Sequence, residues 1–139
     1  MAIAGADIPE TLKTSRLAKD MKIGDSILIG NEEKIRKIAA ESDIDISDFQ
    51  IVNLNDRTEI SRYAVKLVHD GDADMYVKGN IETRDVLKAV LDNEIGLKQV
   101  DELISLVGVF EIDGKMKYLT DPSVIPYPDQ IGRAHVWTP

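Results

Sequence analysis

Ser26-Ile27-Leu28-Ile29-Gly30-Asn31-Glu32-Glu33-Lys34-Ile35-Arg36-Lys37-Ile38-Ala39 settles the fold class of this chain. The aliphatic run closed by Gly30 reads as an apolar strand, because it lacks the apolar-polar alternation of a strand with one wet face. Asn31 is a good N-cap, and Glu32 and Glu33 suit the positive end of a helix dipole. Ile35, Ile38 and Ala39 then line one helical face. A strand passes directly into a helix.

The rhythm repeats outward in both directions. Upstream, Ala2-Ile3-Ala4 is a short apolar strand ending at Gly5. Asp7 and Glu10 have capping-box spacing, with Pro9 in the first turn of a helix that reaches Lys22 and carries Leu12, Leu17, Ala18 and Met21. Downstream, Phe49 to Leu54 reads as a third strand. Asp56 or Thr58 caps a helix lined by Ile60, Ala64, Leu67 and Val68, and Gly71 stops it. Met75-Tyr76-Val77 is a fourth strand ending in Lys78-Gly79, followed from about Thr83 by a helix with Val86, Leu87, Val90 and Leu91 on one face. Such alternation implies right-handed crossovers and a parallel sheet covered by helices. Beyond Gly96 the pattern changes: Leu103 to Ile112 is β-prone, Asp113-Gly114 is a hairpin signal, and Met116 to Thr120 returns. Pro122, Pro126 and Pro128 then interrupt regular structure. The expected class is therefore α/β, a mainly parallel sheet with flanking helices and a β-hairpin.

Composition narrows the function. The 139 residues are 43% hydrophobic but only 5% aromatic, so an aliphatic core is expected. With 17 basic and 25 acidic residues the formal charge is −8. That argues against general nucleic-acid binding, which needs a basic face, but leaves room for a small anion held by local donors. No run approaches the roughly 18 apolar residues of a membrane span. Without cysteine or a basic-then-apolar leader, no membrane association and a cytoplasmic location are expected.

Candidate chemistry concentrates at Lys78-Gly79 and the following Asn80 and Thr83. Ligands of open parallel sheets bind outside the carboxyl ends of strands. A glycine there lets backbone approach the ligand, the next helix offers N–H groups, and the lysine adds a point charge. A solvated lysine before a turn glycine is the plainer reading of the same residues. Thr120-Asp121 either supplies a hydroxyl and a carboxylate to a cleft or caps a turn before Pro122. Ser105 reads as a small residue within an apolar strand, and His69 as a structural residue at a helix C-terminus. The Asp43, Asp45 and Asp48 cluster lacks a calcium-loop pattern and reads as a solvated connection. No metal-ligand cluster, nucleotide-type phosphate loop or triad is present in the sequence.

The run Tyr76-Val77-Lys78-Gly79-Asn80-Ile81-Glu82-Thr83 through Val90-Leu91 resembles the phosphate acetyl/butyryl transferase family, most closely its butyryltransferase branch. The likeness continues through the Gly96-Leu97 turn, Ser105, Val107-Gly108-Val109-Phe110-Glu111 and Leu119-Thr120-Asp121 to Pro128-Asp129. Upstream it takes in Ile27 to Gly30, Asp48 to Val52 and Gly71 to Asp74. The resemblance implies an isocitrate/isopropylmalate-dehydrogenase-like fold and acyl transfer between coenzyme A and inorganic phosphate. Coenzyme A is then a substrate, no cofactor is needed, and the full-length protein is expected to be a homo-oligomer. Lys78, Gly79, Thr83, Ser105, Thr120 and Asp121 map onto the family's substrate-binding motifs. The sequence departs from the family pattern at Leu106, where His is common, at Ile125 for Asn, and at Glu82 for His or Asn. Lys88 and Lys98 replace arginines and so lose bidentate phosphate recognition. Two other families share the fold: an acyl-carrier-protein-linked phosphate acyltransferase of lipid synthesis, and the non-catalytic regulatory domain fused to malic enzymes.

Ile131-Gly132-Arg133-Ala134-His135-Val136 looks like the translation of a widely used sequencing adapter, ATC GGA AGA GCA CAC GTC. Residues 1–130 are accordingly expected to be the N-terminal part of an acyltransferase domain, truncated in mid-fold, and 131–139 a non-native tail. Half of a cleft for two substrates is expected to be inactive.

Overall fold

The computed structural model describes residues 1–98, 104 and 106–120. The chain divides into two units, Met1–Leu97 and Lys98–Pro139. The first contains β1 (Ala2–Ala4), α1 (Pro9–Asp20), β2 (Ile27–Gly30), α2 (Glu32–Glu41), β3 (Gln50–Asn53), α3 (Arg57–His69), β4 (Tyr76–Lys78) and α4 (Thr83–Val90). The second contains β5 (Val107–Ile112) and β6 (Lys115–Thr120).

In the first unit all neighbouring strands are parallel, in the order β3-β2-β1-β4. Successive side chains leave a strand on opposite faces, so each strand supplies two cores. Ile3 and Leu28 join Leu12 of α1 and Ile35 and Ala39 of α2 on one face. Ala2, Ala4 and Ile29 meet Ile60 and Ala64 of α3 on the other. The alanines of β1 let α3 lie close to the middle of the sheet. A phenol–hydroxyl contact, Tyr76 Oη to Ser61 Oγ at 3.1 Å, ties β4 to α3, and burial pushes the Tyr76 phenol above its ordinary pKa.

Caps explain the helix starts. Asn31 Oδ1 accepts from the Lys34 amide at 2.8 Å, as the sequence suggested for α2. Asp56, not Thr58, caps α3, accepting from the Thr58 and Glu59 amides at 2.9 Å each. The Asp7–Glu10 capping box does not form. Ile8 is the N-cap of α1 and makes no side-chain cap bond, because the Asp7 carboxylate is engaged elsewhere.

Other expectations need correction. Leu17 and Met21 are 58% and 63% exposed, so α1 buries only Leu12, Ser15 and Ala18. On α4 the buried residues are Asp85 and Ala89, flanked by half-buried Val86 and Val90, while Leu87 and Leu91 face water. The Asp43–Asp48 connection is ion-paired rather than merely solvated. Asp48 binds Arg16 at 2.8 Å and Lys19 at 3.1 Å, and both cations lie over the Phe49 ring. These partners hold the Asp48 carboxyl below its usual range.

In the second unit β5 and β6 pair antiparallel around Asp113-Gly114. Both turn residues have positive φ, 53° and 71°, as a two-residue turn matching the twist of a hairpin requires. Ser105, Asp121 and residues 131–139 lie outside the described residues. Among the described residues, no helix is long and apolar enough to cross a membrane.

Candidate functional site

The strand order creates one topological switch point. Steps from β1 to β2 to β3 run in one direction, and β4 then returns to the opposite side of β1. From the carboxyl ends of β1 and β4 the chain diverges, into α1 on one face and into α4, packed with α3, on the other. Open α/β sheets bind ligands at such a crevice.

Two glycines let the strands meet there. Gly79 N–H donates to the Ala4 carbonyl and Asn80 N–H to the Gly5 carbonyl, both at 2.8 Å. A Cβ on Gly5, whose φ is +74°, would sit 2.8 Å from the Asn80 oxygen. A Cβ on Gly79 would collide with the Gly5 oxygen and lie 2.9 Å from that of Ala4. Neither site accepts a side chain. Lys78, the last residue of β4, is exposed at this edge.

A charged clamp crosses the same edge. Arg57, the first residue of α3, donates from Nη1 and Nη2 to the two Asp7 carboxylate oxygens at 3.0 Å each. Nη1 also reaches the Asn80 carbonyl at 2.6 Å. The Asp7 side chain is 6% exposed and that of Arg57 38%. One guanidinium thus joins the β1–α1 connection to the β4–α4 turn.

The helix N-termini along this edge differ in availability. At α2 the Lys34 amide is taken by Asn31 and the Glu32 amide by Asn53 Oδ1 at 3.1 Å. At α3, Asp56 takes two amides. The helices flanking the switch point, α1 and α4, have no side-chain cap bond. Uncapped amides carry the positive end of the helix dipole, so both favour an anion near Lys78. Glu10 and Glu82 stand at these termini and oppose it electrostatically.

Two cavities bear on the location. One of about 260 Å³ lies between α1 and β4 and is lined by Ile3, Thr11, Thr14, Ser15, Val77 and Lys78, among others. Another, about 630 Å³, opens at the amino edge of the sheet among Asp25, Asp48, Asp72 and Asp74. Its lysine, Lys19, is already paired with Asp25 and Asp48. Carboxylates make that larger cavity unsuited to an anion.

Of the residues singled out in the sequence, the fold brings Lys78, Gly79 and Thr83 together in one strand–turn–helix passage, with Thr83 opening α4. Thr120 ends β6 in the second unit. Ser105 and Asp121 lie outside the described residues. His69 ends α3 with Nδ1 3.3 Å from the Gly96 carbonyl oxygen, a structural place as anticipated. Among the described residues no group of acidic, histidine or cysteine side chains is arranged to hold a metal. Sequence reasoning missed Arg57 and assigned Asp7 to a capping box instead of to that arginine. One signal was available: an arginine in the first turn of a helix opposes the dipole and so needs a partner elsewhere.

Residues 57–136 match the family described as Phosphate acetyl/butaryl transferase. The chain is 35% identical over 131 residues to a phosphate butyryltransferase of Clostridium beijerinckii, covering 93% of this chain and 43% of that protein. Identity to the Clostridium acetobutylicum phosphate butyryltransferase is 37%, with the same coverage of 93% and 43%. A phosphate acetyltransferase of Thermotoga maritima is 28% identical, covering 92% of this chain and 44% of that one. A branched-chain phosphotransacylase from Enterococcus faecalis V583 superposes with a TM-score of 0.71 at 27% identity, over 95% of this chain and 46% of that structure. The chain spans less than half the length of these relatives.

Proposed function

Because the chain belongs to the phosphate acetyl/butyryl transferase family, we propose that the full-length protein transfers a short acyl group between coenzyme A and inorganic phosphate. A phosphate oxygen attacks the thioester carbonyl carbon. A C–O bond forms, the C–S bond breaks with its electron pair leaving on sulfur, and the phosphate proton ends on the coenzyme A thiol. Both substrates are anions, so holding them together against their mutual repulsion is the main task.

The observation that carries this reading is the pair of uncapped helix N-termini, α1 and α4, on either side of Lys78-Gly79. Lys78 supplies a mobile positive charge, Gly79 a surface without a side chain, and α4, opened by Thr83, N–H donors. Ser105, Thr120 and Asp121 are also proposed to bind substrate. No cofactor is proposed, and the full-length protein is proposed to act in the cytoplasm as a homo-oligomer.

The test is thiol release from butyryl- and acetyl-coenzyme A with phosphate, using the complete reading frame. Lys78→Ala is expected to lower kcat/KM at least tenfold, the cost of about one charge-assisted contact, with little change in Tm. Absence of transfer in either direction in the unmutated full-length protein would reject the proposal.

A further inference from the structure

We infer that Arg57 is a positioning residue for the Lys78-Gly79 anion site and acts through the Asn80 peptide rather than by touching the anion. The inference rests on the reading of Lys78-Gly79 as that site. Three observations support it.

First, the fork of Arg57 is committed. Both carboxylate oxygens of Asp7 are bound at 3.0 Å in the bidentate arrangement that suits a guanidinium, and Asp7 is almost fully buried. Asp7 neutralises the arginine charge at contact distance, so Arg57 offers little net charge to a ligand. Lys78, by contrast, has no ion-pair partner among the described residues.

Second, Arg57 completes the anchoring of the turn. The Gly79 and Asn80 amides are held by the Ala4 and Gly5 carbonyls, and the Ile81 amide by the Gly79 carbonyl at 2.9 Å. The Asn80 carbonyl is held by Arg57 at 2.6 Å. Each peptide from Lys78 to Ile81 therefore has a fixed direction, and the start of α4 is set by the last of them. Without the guanidinium, the Asn80–Ile81 peptide loses its only side-chain bond among the described residues and keeps only that from the Ile81 amide to the Gly79 carbonyl.

Third, Arg57 sits where helix electrostatics disfavour it. A cation in the first turn of α3 works against the dipole. Asp7, 50 residues away in sequence, is the compensation. From the start of α3, Arg57 reaches both connections that flank the switch point, Asp7 after β1 and Asn80 after β4.

A lysine keeps the charge but cannot span both Asp7 oxygens and the Asn80 carbonyl. The experiment titrates inorganic phosphate into the ¹⁵N-labelled 139-residue chain and follows the Gly79, Asn80 and Ile81 amides. Arg57→Lys and Arg57→Ala are each expected to shift the Asn80 and Ile81 amides of the ligand-free protein and to raise the phosphate Kd about tenfold. Lys78→Ala is expected to raise Kd comparably while leaving those ligand-free shifts in place. Near-wild-type affinity in Arg57→Lys with loss in Arg57→Ala would make Arg57 a direct ligand and overturn the inference. So would a Kd within twofold of wild type in both variants. Loss of folded structure in Arg57→Lys would also overturn it, by making the clamp a requirement of folding alone. No phosphate response in the wild-type chain would instead reject the Lys78-Gly79 site itself, and the inference with it.

Discussion

Gly79 has no room for even a single methyl group. Its backbone is not in the left-handed region, so the obstacle is contact with the Gly5 and Ala4 oxygens, both backbone and unable to swing aside. Gly79→Ala is expected to destabilise the chain by about 1–3 kcal/mol, the usual range for overpacking, as measured by urea denaturation. Gly24→Ala is the control: its nearest neighbour is a Met1 side-chain atom at 3.9 Å, and its backbone is ordinary. A change within about 0.5 kcal/mol is expected there. Equal losses at the two sites would mean that the close approach of β1 and β4 is not the cause. Glu82 gives a prediction of opposite sign. It stands at the N-cap of α4 without a cap bond, near the proposed anion. Glu82→Gln removes a like charge and is expected to tighten phosphate binding about two- to fivefold, consistent with roughly 0.5–1 kcal/mol between well-hydrated charges several ångströms apart. Weaker binding in Glu82→Gln would show that Glu82 assists the site.

Individual helices depend on different ends. Asn31 and Asp56 each close a helix N-terminus, and Asp56 holds two amides where Asn31 holds one. Asn31→Ala and Asp56→Ala are each expected to cost about 1 kcal/mol, with Asp56 the larger, in thermal or urea unfolding. Glu10→Ala, which would cost similarly if the capping box existed, is expected to change stability by less than about 0.5 kcal/mol because Asp7 is turned to Arg57. A Glu10→Ala loss as large as that of Asp56→Ala would restore the capping box. The N-cap, the strand-closing glycines, and the Asp113-Gly114 turn were legible in the sequence because each works within a few residues of itself. The α1 stripe was not: Leu17 and Met21 have helical spacing, but no element among the described residues covers their side of the helix. Periodicity identifies a helix without saying how wide a neighbour it meets.

At the scale of the whole molecule, acid stability follows from paired carboxylates. The Asp48 carboxyl is held low by Lys19 and Arg16, that of Asp45 by the Ser47 amide, and that of Asp92 by the Glu94 amide and Arg62. A carboxyl whose folded pKa is depressed adds stability that is present above its unfolded value, 3.8, and disappears as pH falls through the folded value. Tyr76, Lys19 and Lys66 are shifted the other way, Tyr76 by burial and the lysines by bonds to Asp25 and Asp70. Their contribution is complete below the unfolded values of 10.0 and 10.5 and is lost as pH rises beyond them. Tm is therefore expected to be flat between about pH 5 and 9 and to fall on both sides, the acid limb being shallower in Asp48→Asn. An unchanged acid limb in that variant would remove Asp48 from the account. The sequence by itself determined the element order, the parallel α/β class, the family and the Lys78-Gly79 turn, because repeats of a few residues, and likeness along the chain, are written locally. Only the tertiary structure decided that β4 lies beside β1, that Asp7 faces Arg57 rather than its own helix, and that α1 and α4 are the uncapped pair. Those facts depend on partners tens of residues apart, whose pairing is set by strand order and burial, and no local spacing encodes either.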